Sequence, residues 1–195
     1  FFNPTKEMLH DPFLMKDMDK AVLRLEKAID TKEKVMIYGD YDVDGTTAVA
    51  LLYKYLKNKC KNPEYYIPDR YTEGYGVSIL AIDYAALNGI SLMIVTDCGV
   101  KAVEKVRYAK SKGVDIIICD HHTPGDELPD AALEAHDVLF FLLFPVIGDG
   151  NGKTGVQEGL LPHTGVQGLV FILQGLEHLR VGLEGDGGAG AVRLA

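Results

Sequence analysis

The chain is 195 residues long, 47% hydrophobic and 25% charged, with a formal net charge of −8. That length buries a core for one domain or one and a half, and the balance is ordinary for a soluble globular protein. No run of about 18 apolar residues occurs, which argues against a membrane span; the acidic balance argues against a broad electrostatic nucleic-acid binder, although acidic metal ligands would inflate it.

The spacing of Met18, Val22, Leu25 and Ile29 predicts an amphipathic helix over Asp17 to Ile29. A buried strand follows at Val35 to Tyr38 and runs into the acidic loop Asp40-Tyr41-Asp42-Val43-Asp44-Gly45. Thr46 and Thr47 then cap a helix through Lys57, with Val49, Leu52, Tyr53 and Leu56 as its apolar stripe. A second strand, Tyr65 to Pro68, precedes a polar, glycine-containing loop from Asp69 to Gly76. Ser78 caps a helix to about Leu87, which Gly89 stops. The strand Leu92 to Thr96, a helix from Ala102 to Ser111 and the strand Asp115 to Cys119 complete the alternation. Such alternation predicts an α/β fold, a mostly parallel sheet with helices on both faces. Beyond Ala132 the pattern weakens: an apolar run at 138–147, a Gly-rich loop at 148–159, a helix over Val166 to Leu179, and a glycine-rich end from Gly182. The chain opens on Phe1 without a signal-peptide pattern, as a fragment or processed chain would. Cys60, Cys98 and Cys119 have no paired spacing, which fits a reducing cytoplasm rather than a disulfide framework.

Three strands end in chemistry. Asp40, Asp42 and Asp44 follow the first, Asp97 follows Leu92 to Thr96, and Asp120-His121-His122 ends the run Ile116-Ile117-Ile118-Cys119. In an open α/β sheet the ligand site lies beyond the carboxyl ends of the strands, so these groups can share one site. The first loop begins like an EF-hand, but its twelfth position is Leu51 where a bidentate Glu is required. Like charges packed this closely need cations. Adjacent side chains of an extended segment point in opposite directions, so one of His121 and His122 would bind metal while the other faces substrate. His10, His136, His163 and His178 lack such neighbours and read as structural or solvated. Mixed Asp and His ligands favour Mn2+, with Mg2+ as the second choice. Two such ions can activate a water and stabilise the attacking and leaving oxygens of a phosphoryl displacement. Arg70, among the aromatics and glycines of the 69–76 loop, suits a phosphate; the alternative is an Arg–Glu pair on a surface loop.

With those residues in view, the chain resembles the DHH phosphoesterases, and among them the RecJ-like single-strand-specific DNA exonucleases. The resemblance rests on Gly39-Asp-Tyr-Asp-Val-Asp-Gly-Thr46, on the segment from Tyr66 to Val77, on Thr96-Asp-Cys-Gly99 and on Asp120-His-His122, in that order, with the opening His10 to Asp19 adding to it. It covers roughly residues 1–132 and implies a catalytic domain there. Residues 133–195 would continue that domain with an atypical tail, and no DHH-associated domain is expected within them. The resemblance implies a manganese- or magnesium-dependent hydrolase acting from the 5′ end of single-stranded DNA in repair and recombination, with replication or repair proteins as further partners. By motif position Asp42, Asp44, Asp97 and His121 would hold metal, with Asp44 essential to catalysis, and His122 would contact the scissile phosphate. Many relatives have His where Tyr38 stands, and Asp40 would serve as a metal ligand instead. The family's further Asp, in a motif of Thr-x-Ala-Asp type, has no counterpart, since Asp137, Asp149 and Asp186 stand in other contexts. Gly165 to Gln174 loosely resembles the helix that precedes that motif. Two alternatives remain: a DHH phosphoesterase acting on short oligonucleotides, cyclic dinucleotides or pyrophosphate, and a non-catalytic replication scaffold. The Glu73-Gly-Tyr-Gly76 loop favours the exonuclease, and the intact Asp and His set disfavours the scaffold.

Overall fold

The computed structural model describes Phe13, residues 16–131 and residues 133–136. Three strands consist wholly of buried residues or nearly so: β1 (Val35–Gly39), β3 (Leu92–Thr96) and β4 (Asp115–Asp120). β-branched and other apolar side chains on both faces of a strand are what an interior parallel position requires. β2 (Glu64–Tyr66) is short and half-exposed, an edge strand. It ends two residues earlier than its sequence suggests, before Pro68, which has no N–H for a ladder. The strand order is β2-β1-β3-β4-β5, all pairs parallel.

The fifth strand, β5 (Leu133–His136), extends the sheet beyond the four strands expected, pairing Asp120 with His136 in register. Leu-Glu-Ala-His carries no apolar run, so only its partner strand makes it a strand. The expected features at 138–147, 148–159, Val166 to Leu179 and from Gly182 lie outside the described residues. So do Asp137, Asp149, Asp186, His10, His163 and His178, and part of the His10 to Asp19 segment.

Alternate side chains of each strand enter two separate cores. Val35, Ile37, Leu92, Ile94 and Ile117 pack under α1 (Met18–Asp30) and α2 (Val43–Leu56). Met36, Tyr38, Met93, Val95, Ile116 and Ile118 pack under α3 (Ile79–Leu87) and α4 (Val103–Ser111). Helices therefore cover both faces, as the alternation predicts. No described helix is long and apolar enough to cross a membrane.

The start of α2 departs from expectation. The cap is Asp42 rather than Thr46 or Thr47, and its carboxylate accepts from the Gly45 amide at 2.8 Å. Asp is at least as good a cap as Thr, and the Thr46 hydroxyl is used inside the first turn, donating to Asp42 O at 2.6 Å. Ser78 caps α3 and Gly89 ends it at φ 70°, as expected.

The topology sets the position of a site. From β1 the chain runs through α2 to β2 on one side, then returns through α3 to β3 on the other. Connections diverge between β1 and β3, and at such a switch point the carboxyl edge opens into a crevice. At the opposite edge charges are paired: Arg24 donates to Asp115 and Glu33 at 2.8 Å each, and Ser91 donates to Glu33 at 2.6 Å. That network ties α1 to β3 and β4.

Candidate metal centre

β1 delivers Asp40 to the switch point fully buried. Its Oδ1 accepts from the Tyr41 amide at 2.6 Å, whereas Oδ2 is buried with no hydrogen-bond partner. Burial pushes the Asp40 carboxyl above the usual carboxylate range, and the charges of Asp42 and Asp97 push the same way; the Tyr41 and Gly76 amides act against them. Asp42 stands at the exposed cap of α2 and Asp44 lies half-buried in its first turn.

This geometry depends on Gly45. A Cβ there would meet Asp40 O at 2.5 Å and Asp40 N at 2.6 Å, backbone atoms that cannot rotate away. Gly45→Ala is therefore expected to lower stability by about 1–3 kcal/mol, a typical overpacking cost, and to weaken divalent-cation binding by displacing the Asp40–Asp44 turn. Urea unfolding and a manganese titration measure the two effects.

Asp97 follows β3 in the left-handed conformation, φ 61°, while its amide still donates to Cys119 O at 2.8 Å. A non-glycine residue held there costs of order 1–2 kcal/mol, which points to a demand on where its carboxylate sits. That carboxylate is 3.0 Å from His121 Nε2. Burial raises the Asp97 carboxyl, the His121 contact lowers it, and the Asp42 charge raises it again.

β4 ends at Asp120, and its carboxylate is committed to the fold. Oδ2 accepts from the Val100 amide at 2.8 Å, while Oδ1 accepts from the His122 amide at 3.0 Å and faces His122 Nδ1 at 2.7 Å. A carboxylate only accepts, so Nδ1 carries a proton towards it and Nε2 is the ring nitrogen left for other partners. Nε2 lies 3.3 Å from the Tyr75 hydroxyl.

The two histidines do not diverge as an extended segment would have them. Their ring centroids are 4.6 Å apart, because the strand has already ended and alternation no longer applies. Ligand atoms of Asp97, His121 and His122 all lie within 4.8 Å of one another.

Arg70 is exposed, with its guanidinium over the Tyr41 ring at 5.4 Å. This stacking sets it beside the acidic turn. The Glu73 carboxylate turns elsewhere, accepting from Tyr66, Asp69 and Ser78, so the alternative of a surface Arg–Glu pair is not what forms. Tyr38 donates its hydroxyl to Gly76 O at 2.7 Å.

Sequence reasoning singled out Asp40, Asp42, Asp44, Asp97, His121, His122 and Arg70. It gave no role to Asp120 or Tyr75. Asp120 was legible as the first member of Asp-His-His, but Tyr75 carries no local signal because its contact crosses from one loop to another.

The residues present suit a divalent cation. Among the described residues, no Lys or Arg ion pair reaches Asp40, Asp42 or Asp97. One buried carboxylate oxygen lacks any partner. Buried carboxylates are tolerated when paired or bound to metal, and an oxygen and imidazole donor set selects small, hard or borderline ions.

Residues 34–138 match the DHH family, N-terminal domain. The chain belongs to the DHH family. This DHH domain is 45% identical over 127 residues to the single-stranded-DNA-specific exonuclease RecJ of Bacillus subtilis (strain 168), covering 65% of the chain and 16% of that protein. It is 36% identical over 115 residues to RecJ of Escherichia coli (strain K12), covering 58% of the chain and 20% of that protein. The crystal structure of exonuclease RecJ bound to manganese is similar at a TM-score of 0.68 and 28% identity, over 92% of this chain and 40% of that one. RecJ of Thermus thermophilus in complex with Mn2+ shares the fold, with a TM-score of 0.60 at 24% identity, over 86% of this chain and 22% of that one. The DHH chain thus spans about a fifth or less of the curated relatives it matches.

Proposed function

We propose that this chain is the metal-dependent phosphodiesterase core of a RecJ-like exonuclease that hydrolyses single-stranded DNA from the 5′ end. The observation that carries this reading is the grouping of ligand atoms of Asp97, His121 and His122 within 4.8 Å of one another at the switch-point edge, to which β1 also delivers the buried Asp40. Asp40, Asp42, Asp44, Asp97 and His121 would hold Mn2+ or Mg2+. When bound, these ions supply Lewis-acid stabilisation of the charge that develops in phosphodiester hydrolysis. Doubly protonated and oriented by Asp120, His122 would donate from Nε2 to a phosphate oxygen, and Arg70, stacked on Tyr41, offers a two-pronged guanidinium. The RecJ relatives, named for single-stranded DNA and seen with manganese, support both substrate and metal.

The proposed catalytic domain spans residues 1–132, with 133–195 continuing it; pairing of β5 with β4 supports a continuous sheet across that boundary. We assign the cytoplasm as its compartment, supported by three buried cysteines that form no disulfide. Replication or repair proteins are the proposed protein partners.

The test incubates the chain with Mn2+ and end-labelled DNA. Stepwise release from the 5′ end of single strands, none from blunt duplex and none after chelation, is the expected result. Hydrolysis of cyclic dinucleotides or pyrophosphate but not of DNA would move the substrate to the smaller phosphoesters. Neither manganese binding nor hydrolysis of any of these would point to the scaffold.

A further inference from the structure

We propose that Glu73 is a positioning residue: with Tyr38 it anchors both ends of the Gly74-Tyr75-Gly76 span, so that the Tyr75 hydroxyl is held against His122 before substrate arrives. The inference rests on the reading of His122 as the phosphate-facing histidine.

The Glu73 carboxylate is the hub of the loop. Tyr66 donates its hydroxyl to Oε1 at 3.2 Å and to Oε2 at 3.1 Å, the Asp69 amide donates to Oε1 at 2.9 Å, and the Ser78 hydroxyl donates to Oε2. These donors come from β2, from the start of the loop and from the cap of α3. A carboxylate only accepts, which suits it to gather these donors. The Glu73 amide also donates to Asp69 O at 2.9 Å, closing the turn beneath it. Burial and the Glu73 contact both raise the Tyr66 phenol, which keeps it a donor.

The second anchor is Tyr38. Fully buried in β1 and stacked on Tyr66 with ring centroids 5.9 Å apart, it donates to Gly76 O. Between the anchors lie Gly74 and Gly76, at φ 77° and 80°, with only Tyr75 between them. Two glycines in that region would leave the span loose if its ends were free. With both ends fixed, Tyr75 stands edge-on to His122, centroids 6.1 Å apart, its hydroxyl 3.3 Å from Nε2. Pre-organisation of this kind lowers the ordering cost that substrate binding would otherwise carry.

The test uses Glu73→Gln, whose amide NH2 faces two donors on whichever side it lies, with Tyr66→Phe as a milder variant that removes one hydroxyl from the hub. In the metal-free chain, the 15N resonance of His122 Nε2 should move with Tyr75→Phe and move in the same direction with Glu73→Gln. In single-strand hydrolysis, Glu73→Gln should raise KM about tenfold with a smaller change in kcat, the pattern of lost substrate engagement. The double variant with Tyr75→Phe should cost no more than the larger single change, because Glu73 acts through Tyr75. An unmoved His122 resonance in either single variant overturns the proposal, as do KM effects that add. Absence of hydrolysis in the parent would count against the exonuclease reading alone, since the resonance decides the anchor separately.

Discussion

Asp97→Asn is expected to lower manganese-dependent hydrolysis by about 10³-fold, the upper range for losing a preorganised electrostatic contact to a transition state. Asp97 is the carboxylate against His121, and its charge acts on Asp40. Asparagine keeps an oxygen for His121 but brings no negative charge, so cation affinity falls while the fold is retained. The same substitution should stabilise the metal-free chain at neutral pH. Burial raises the Asp97 carboxyl above its unfolded value, so its favourable contribution is complete below the unfolded pKa and is lost as pH rises through the folded one. Above that window the parent carries a destabilising buried charge that the asparagine variant lacks. Thermal unfolding of both chains with chelator, at pH 4 and pH 7, should show the variant gaining on the parent only at the higher pH. Near-parental hydrolysis by Asp97→Asn, or a variant less stable than the parent at pH 7, would contradict this account of the site.

The contrast between the two edges of the sheet explains how much could be read from sequence. β1, β3 and β4 were legible because buried parallel strands are apolar on both faces and end abruptly where the chain meets polar groups. Those ends mark the carboxyl edge, so Asp40, Asp97 and Asp120 were legible as neighbours from the sequence alone. β5 was not, because Leu133-Glu-Ala-His owes its conformation to β4 rather than to its own pattern. The start of α2 was misplaced because the cap role of Asp42 is hidden in a run of acids. The close approach of the His121 and His122 rings was missed because period-two alternation was carried two residues beyond the strand that produces it. The place of Arg70 on Tyr41, and of Tyr75 on His122, depends on one loop meeting another; no local period encodes such contacts.

Asp44→Ala and Arg70→Ala should separate the two halves of the proposed chemistry. Asp44 lies in the first turn of α2, where a carboxylate is favoured by the helix terminus, so its removal costs the fold only a few tenths of a kcal/mol to about 1 kcal/mol. Its proposed work is to hold the metal pair, and hydrolysis should therefore fall by several orders of magnitude, with manganese affinity falling alongside. Arg70 is exposed and packs on Tyr41 rather than on a carboxylate. Arg70→Ala should leave manganese affinity within about twofold and raise KM for single-stranded DNA about tenfold or more, as expected when a charge-assisted contact to phosphate is lost. Lysine at that position should restore only part of the affinity, because it offers a point charge in place of a planar fork. Metal titration and steady-state hydrolysis on the same preparations distinguish the outcomes. An active Asp44→Ala would remove the two-ion mechanism. Loss of manganese by Arg70→Ala would show that the loop serves the metal rather than the phosphate.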